Sequence, residues 1–126
     1  MIDIDKQVAY WLKGAEEDWE VGVGLLQREK IRHGLFFVNL ALEKILKAHF
    51  CRNKRDVAPK AHNLARLAAI GGVEMSDDRK DVLADINAFS LEGRYPESYA
   101  VLPSKDEAES IMRKAGEVFL WLKSQL

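Results

Sequence analysis

Three histidines, His33, His49 and His62, and a single cysteine, Cys51, are the residues of this chain able to move a proton near neutral pH or to hold a soft metal. Their spacing does not assemble a metal centre. His49 and Cys51 are two residues apart, which on a helix points them to different sides. The chain contains no Cys-x-x-Cys and no His-Glu-x-x-His. Neither a metal nor another cofactor is expected. Gly71-Gly72 is not followed by Lys-Ser/Thr, so there is no phosphate-cradling loop. No serine or cysteine sits in a nucleophile elbow.

Charge is the stronger signal. Between Lys44 and Arg66 stand seven lysines or arginines (44, 47, 52, 54, 55, 60, 66) and one acid, Asp56. Between Met1 and Glu29 stand seven acids and three bases. The basic stretch reads either as an anion-binding end or as a solvated helix C-terminus, where bases suit the dipole. Within it, Glu43 and Lys47 have the spacing of a helical ion pair, with Lys44 beside them. Arg94, from a distant segment, is a candidate either to pair with Glu43 or to contact a ligand, since an arginine fork suits carboxylate and phosphate alike. Tyr95 and Tyr99 read as anchors whose rings could also stack a base.

The elements that must position these residues are helices. Val8, Leu12, Ala15, Trp19, Gly22 and Leu26 recur every three or four residues, predicting a helix from about Asp5 to Glu29. Gly22 and Gly24 each weaken it by about 1 kcal/mol relative to alanine, for which close helix approach is the expected compensation. A second helix, Arg32 to Asn53, is apolar nearly all round and belongs at the centre of a bundle. Its remaining polar line is Asn39, Glu43 and Lys47. After a loop marked by Pro59, a short helix from His62 to Ile70 stops at Gly71-Gly72. Ser76 caps a fourth helix with Asp77 and Asp78 in its first turn. Leu91 to Pro103 reads as non-helical around Gly93, Pro96 and Pro103. Ser104 and Glu107 form a capping box that opens the last helix.

No period-two stretch is long enough for a strand. The expected fold is all-α: an antiparallel up-and-down bundle of four long helices plus one short helix, forming one domain over residues 1–126. The composition, 48% apolar and 31% charged, is that of a globular chain. A net charge of −1 argues against a dedicated binder of long nucleic acid. There is no signal-peptide pattern and no run of 18 apolar residues, so no membrane contact and a cytoplasmic location are expected. One cysteine permits no internal disulfide.

Several of these residues also carry a family likeness. Ala15 and Asp18, then Phe37 followed by Ala41-Leu42-Glu43-Lys44-Ile45-Leu46-Lys47-Ala48, then His62-Asn63-Leu64, then Arg94-Tyr95-Pro96, make the chain resemble the HEPN family of small prokaryotic helical proteins. The likeness runs from about Trp11 to Leu122. It implies a four- to five-helix bundle, often a homodimer, frequently paired with a small nucleotidyltransferase in a toxin–antitoxin or defence setting. It also implies nucleotide binding, or metal-independent ribonuclease activity using an arginine and, four to six residues on, a histidine. In that chemistry the arginine stabilises developing phosphate charge and the histidine moves a proton.

This chain departs from that motif. Arg94 holds the arginine's place, but the stretch reads RYPESYA, with Tyr99 where a histidine would stand. Arg55 and His62 match the spacing formally, in a different loop that contains Pro59. The sequence therefore favours a non-catalytic module that binds a nucleotide or partner near Glu43, Lys44, Lys47, His62, Arg94 and Tyr95. The alternatives are a ribonuclease toxin acting on RNA through Arg94, or through Arg55 with His62, across a dimer interface, and a purely structural dimerisation module.

Overall fold

A computed structural model describes residues 2–94 and 102–126, with side chains in the fourth helix described as far as residue 89. Among the described residues are five helices: α1 (Ile4–Gln27), α2 (Ile31–Lys54), α3 (Leu64–Ile70), α4 (Asp77–Arg94) and α5 (Lys105–Ser124). No strand occurs among the described residues. The expected all-α arrangement of four long helices and one short one is the fold observed.

α2 is the central element, as its composition requires. Leu35, Val38, Ala41, Leu42, Ile45, Leu46, Ala48 and Cys51 are all fully buried. α1 packs antiparallel to it, and the two backbones meet at glycine. A Cβ built on Gly22 would stand 3.0 Å from Val38 Cγ2 and 3.1 Å from the Gly34 carbonyl oxygen. The expectation of close approach therefore holds at Gly22. It fails at Gly24, where nothing lies within 4 Å of a built Cβ, because that position faces outward.

Caps set the helix limits. Asp3 accepts from the Lys6 backbone N–H at 3.2 Å and starts α1. The third helix begins at Leu64 rather than His62, because Asn63 caps it by accepting from Arg66 N at 2.9 Å. Ser76 accepts from Arg79 N at 3.3 Å. The Ser104–Glu107 capping box is complete, and those bonds lower the Glu107 carboxyl pKa. Gly72, at φ +72, turns the chain after α3. α4 runs through to Arg94, so Leu91–Arg94 is helical and not part of an irregular segment. Gly93 costs helix propensity without ending the helix. Residues 95–101, and with them Tyr95, Tyr99 and Val101, lie outside the described residues.

α5 closes the bundle, antiparallel to α1 and α4 and parallel to α2. Trp19 stacks on Phe119 with centroids 4.7 Å apart. The Arg79 guanidinium lies 4.1 Å from the Trp121 ring centroid. No helix among the described residues is long and apolar enough to cross a membrane.

His49 joins α2 to α5. It is 4% exposed, and its Nε2 lies 2.8 Å from the Leu122 carbonyl, so that nitrogen carries the proton and donates. Burial is the main influence on the ring and holds its pKa below the ordinary 6.5; the Leu122 carbonyl opposes this and the Arg52 charge adds to it. The unfolded chain thus takes up a proton near pH 6.5 that the folded chain refuses until lower pH. The stability that neutral His49 supplies is complete above that pH, and falls as pH drops from there towards the folded value. Urea midpoints measured from pH 7.5 to pH 5.5 should decline in the wild type, and less steeply in His49→Gln. Equal slopes would remove His49 as the cause.

Candidate functional site

The polar line on α2 is buried, and each member has found a partner. Asn39 donates to the Ile86 carbonyl of α4 at 3.3 Å. The Glu43 carboxylate is the hub of the next turn. Lys47 Nζ donates to Glu43 Oε2 at 3.2 Å, with both side chains 8% exposed. His62 Nδ1, arriving from the loop before α3, lies 3.3 Å from both Glu43 oxygens. The predicted i, i+4 ion pair is present, and the structure adds His62 to it.

α1 supplies the other wall. The Lys47 ammonium lies 5.1 Å from the Trp11 ring centroid, in cation–π range. Trp11 in turn meets Tyr10 edge-to-face at 5.1 Å, and Tyr10 is 68% exposed. Beside Glu43, Lys44 Nζ reaches Asp18 Oδ2 at 2.7 Å. A Cβ on Gly14 would stand 3.2 Å from Lys44 Cδ, so glycine there leaves room for the lysine stem to cross α1.

The result is a charge-balanced seam. Lys44 has Asp18; Lys47 and His62 share Glu43. His62, with a side chain 53% exposed, and Lys44, at 31%, are the reachable polar groups, and Glu43 and Lys47 lie beneath them. With Nδ1 directed at a carboxylate, the neutral imidazole keeps its proton there and leaves Nε2 as the basic nitrogen. The lysines do not form an open phosphate cradle, since both are already met by acids. Among the described residues, no group of three or more His, Cys, Asp or Glu is placed to hold a metal ion. Cys51 is buried, and burial raises its thiol pKa, which makes it a poor nucleophile.

Of the residues singled out by sequence, Glu43, Lys44, Lys47 and His62 are brought together. Arg55 is not among them. It closes α2 in the left-handed conformation, at φ 55, and lines a surface groove with Ile2, Asp3, Ile4 and Asp5 at the start of α1. Arg94 ends α4, which runs antiparallel to α2. It lies eight residues past Ile86, about 12 Å along the axis at 1.5 Å per residue, towards the N-terminal end of α2. Glu43 lies about 6 Å from Asn39 in the opposite direction. The Arg94 side chain, Tyr95 and any contact of theirs with Glu43 lie outside the described residues.

Sequence reasoning assigned no site role to Tyr10, Trp11, Gly14 or Asp18. The available signal was the acid excess of α1 opposite the basic stretch of α2, which pairs Asp18 with Lys44.

A five-helix bundle whose buried central helix shares a Glu–Lys–His cluster with a loop defines a small α-helical module. Residues 8–125 match the HEPN domain, and the chain belongs to that family. Two solved structures share the fold. The protein TT1696 from Thermus thermophilus superposes with a TM-score of 0.80 at 20% identity, over 95% of this chain and 98% of that one. ST0689, described as an archaeal HEPN homologue, gives 0.69 at 18% identity, over 94% and 96%. Comparison with curated proteins gives no significant match.

Proposed function

We propose that this chain is a non-catalytic HEPN module whose α1–α2 seam binds a partner protein, a small nucleotidyltransferase, in a toxin–antitoxin or defence pair. The observation that carries this reading is the composition of the seam's rim. Tyr10 is 68% exposed against Trp11, beside a neutral, pre-ordered set of charges at Lys44–Asp18 and His62–Glu43. Exposed aromatics beside ordered polar groups are what protein interfaces use as anchors. A free nucleotide, being polyanionic, has less to gain where both lysines already meet acids. Arg94 and Tyr95 enter this reading through the family likeness alone.

The test is complex formation with a small nucleotidyltransferase, measured by titration calorimetry. Tyr10→Ala is expected to weaken binding by about tenfold or more, the loss of an anchor worth about 1.4 kcal/mol. Absence of a complex, or a complex indifferent to Tyr10→Ala and Lys44→Ala, would overturn the assignment.

One observation favours the ribonuclease reading as a second. Glu43 orients the His62 imidazole with Nε2 free, as a carboxylate orients a general base. Cleavage of labelled single-stranded RNA without metal, lost in His62→Ala and Arg94→Ala, would establish it.

A further inference from the structure

A groove of about 410 Å³ opens where three helices end: α2 at Lys54, α3 at Ile70 and α5 at Ser124. Each helix C-terminus carries about half a negative charge on its last carbonyls. His49 lines this groove although it is only 4% exposed. Its Nε2 is spent on the Leu122 carbonyl. Its Nδ1 is therefore an acceptor, and it meets no donor among the described residues. Nor is it one of the polar atoms sealed from water without a partner, so it opens to the groove. Asn53 is held in the same way. Its Nδ2 donates to the Gly71 carbonyl at 2.9 Å, which leaves Oδ1 as the atom it presents. Glu74 adds a carboxylate with no ion pair among the described residues, and Trp121 and Val73 supply an apolar wall.

We infer that this groove binds an organic cation, an alkyl ammonium or guanidinium group, whose N–H donors meet His49 Nδ1, Asn53 Oδ1 and the Glu74 carboxylate while its carbon stem lies against Trp121 and Val73. The groove's fixed donors are already used, so what it presents is acceptors. The neighbouring cations are largely engaged as well. Arg52 donates to the Gln125 carbonyl. Arg79 lies on the Trp121 ring, which shows that ring already receiving a guanidinium. An anion would find only the Gln125 amide, which also donates to Ser124 Oγ, and Lys54, whose Nζ passes near Gly72. Burial holds His49 neutral below the ordinary imidazole range, so its acceptor persists at neutral pH. No residue of the α1–α2 seam lines this groove, so the two assignments stand or fall independently.

Titration with n-butylguanidinium and n-butylammonium, followed by calorimetry and by nitrogen NMR of the His49 ring, tests it. Both cations are expected to bind and to move the His49 Nδ1 resonance, which a cation held elsewhere would leave in place. The neutral analogue n-butylurea should bind more weakly, and inorganic phosphate not at all. Glu74→Gln is expected to weaken cation binding by about two- to fivefold, and Lys54→Gln to strengthen it by a similar factor. Both side chains are exposed, so the melting temperature should not change. An anion site would show both signs reversed. N-acetylarginine methylamide separates two sources of the same chemistry: tighter binding than butylguanidinium assigns the group to a peptide side chain, weaker binding to a free ligand. No binding of either cation, phosphate bound in their place, or indifference to Glu74→Gln would overturn the proposal.

Discussion

Gly22→Ala is expected to destabilise the fold by about 1–3 kcal/mol, although alanine is the better helix former by about 1 kcal/mol. The new methyl meets Val38 Cγ2 at 3.0 Å, the Gly34 carbonyl oxygen at 3.1 Å and Val38 N at 3.2 Å. Two of those three atoms are backbone, so relief requires α1 and α2 to separate. Separation loosens the most extensive helix pair of the bundle and the Asp18–Lys44 bridge along it. Gly24→Ala, two residues on, should have the opposite sign. Nothing lies within 4 Å of its Cβ, so it gains propensity alone, about 0.5–1 kcal/mol. Chemical denaturation of both variants measures the difference. Equal effects would mean that the α1–α2 crossing is not set by Gly22.

That pair of glycines also shows what the sequence could reveal. Helix periodicity placed Gly22 on the apolar stripe with Trp19 and Leu26, and close approach followed. Gly24 lies off that stripe, yet composition alone gave both glycines one explanation. The stripe, α2's near-continuous apolar surface and the caps at Ser76 and Ser104 were legible because each is local. The α4 limit was not, because Gly93 weakens a helix without specifying where it ends. Within the site, the Glu43–Lys47 spacing announced an ion pair. His62 joins it from nineteen residues away, and Asp18 meets Lys44 from another helix. Tertiary partnerships of this kind leave no periodic trace in a single sequence.

Glu43→Ala is expected to cost about 3–5 kcal/mol, the usual consequence of leaving a buried charge without its partner. Glu43 and Lys47 each expose 8% of their side chains, so Lys47 would keep an ammonium whose remaining interaction is with the Trp11 ring. His62 would also lose its contact, and the loop before α3 would lose a tie to α2. Replacing both charges by apolar side chains of similar length, Glu43→Leu with Lys47→Met, should restore most of the stability, because desolvation of an ion pair offsets much of its attraction. Urea denaturation of the single and double variants checks both halves. A loss under about 1 kcal/mol for Glu43→Ala would show that water reaches Lys47 freely. Full recovery in the double variant carries a further meaning. A charge pair that can be removed without loss of stability is not maintained by folding energetics, so selection for what the seam binds becomes its explanation. Loss of partner binding in that well-folded variant is then the expected companion result, since it removes the carboxylate that orients His62 and leaves Tyr10 exposed as before.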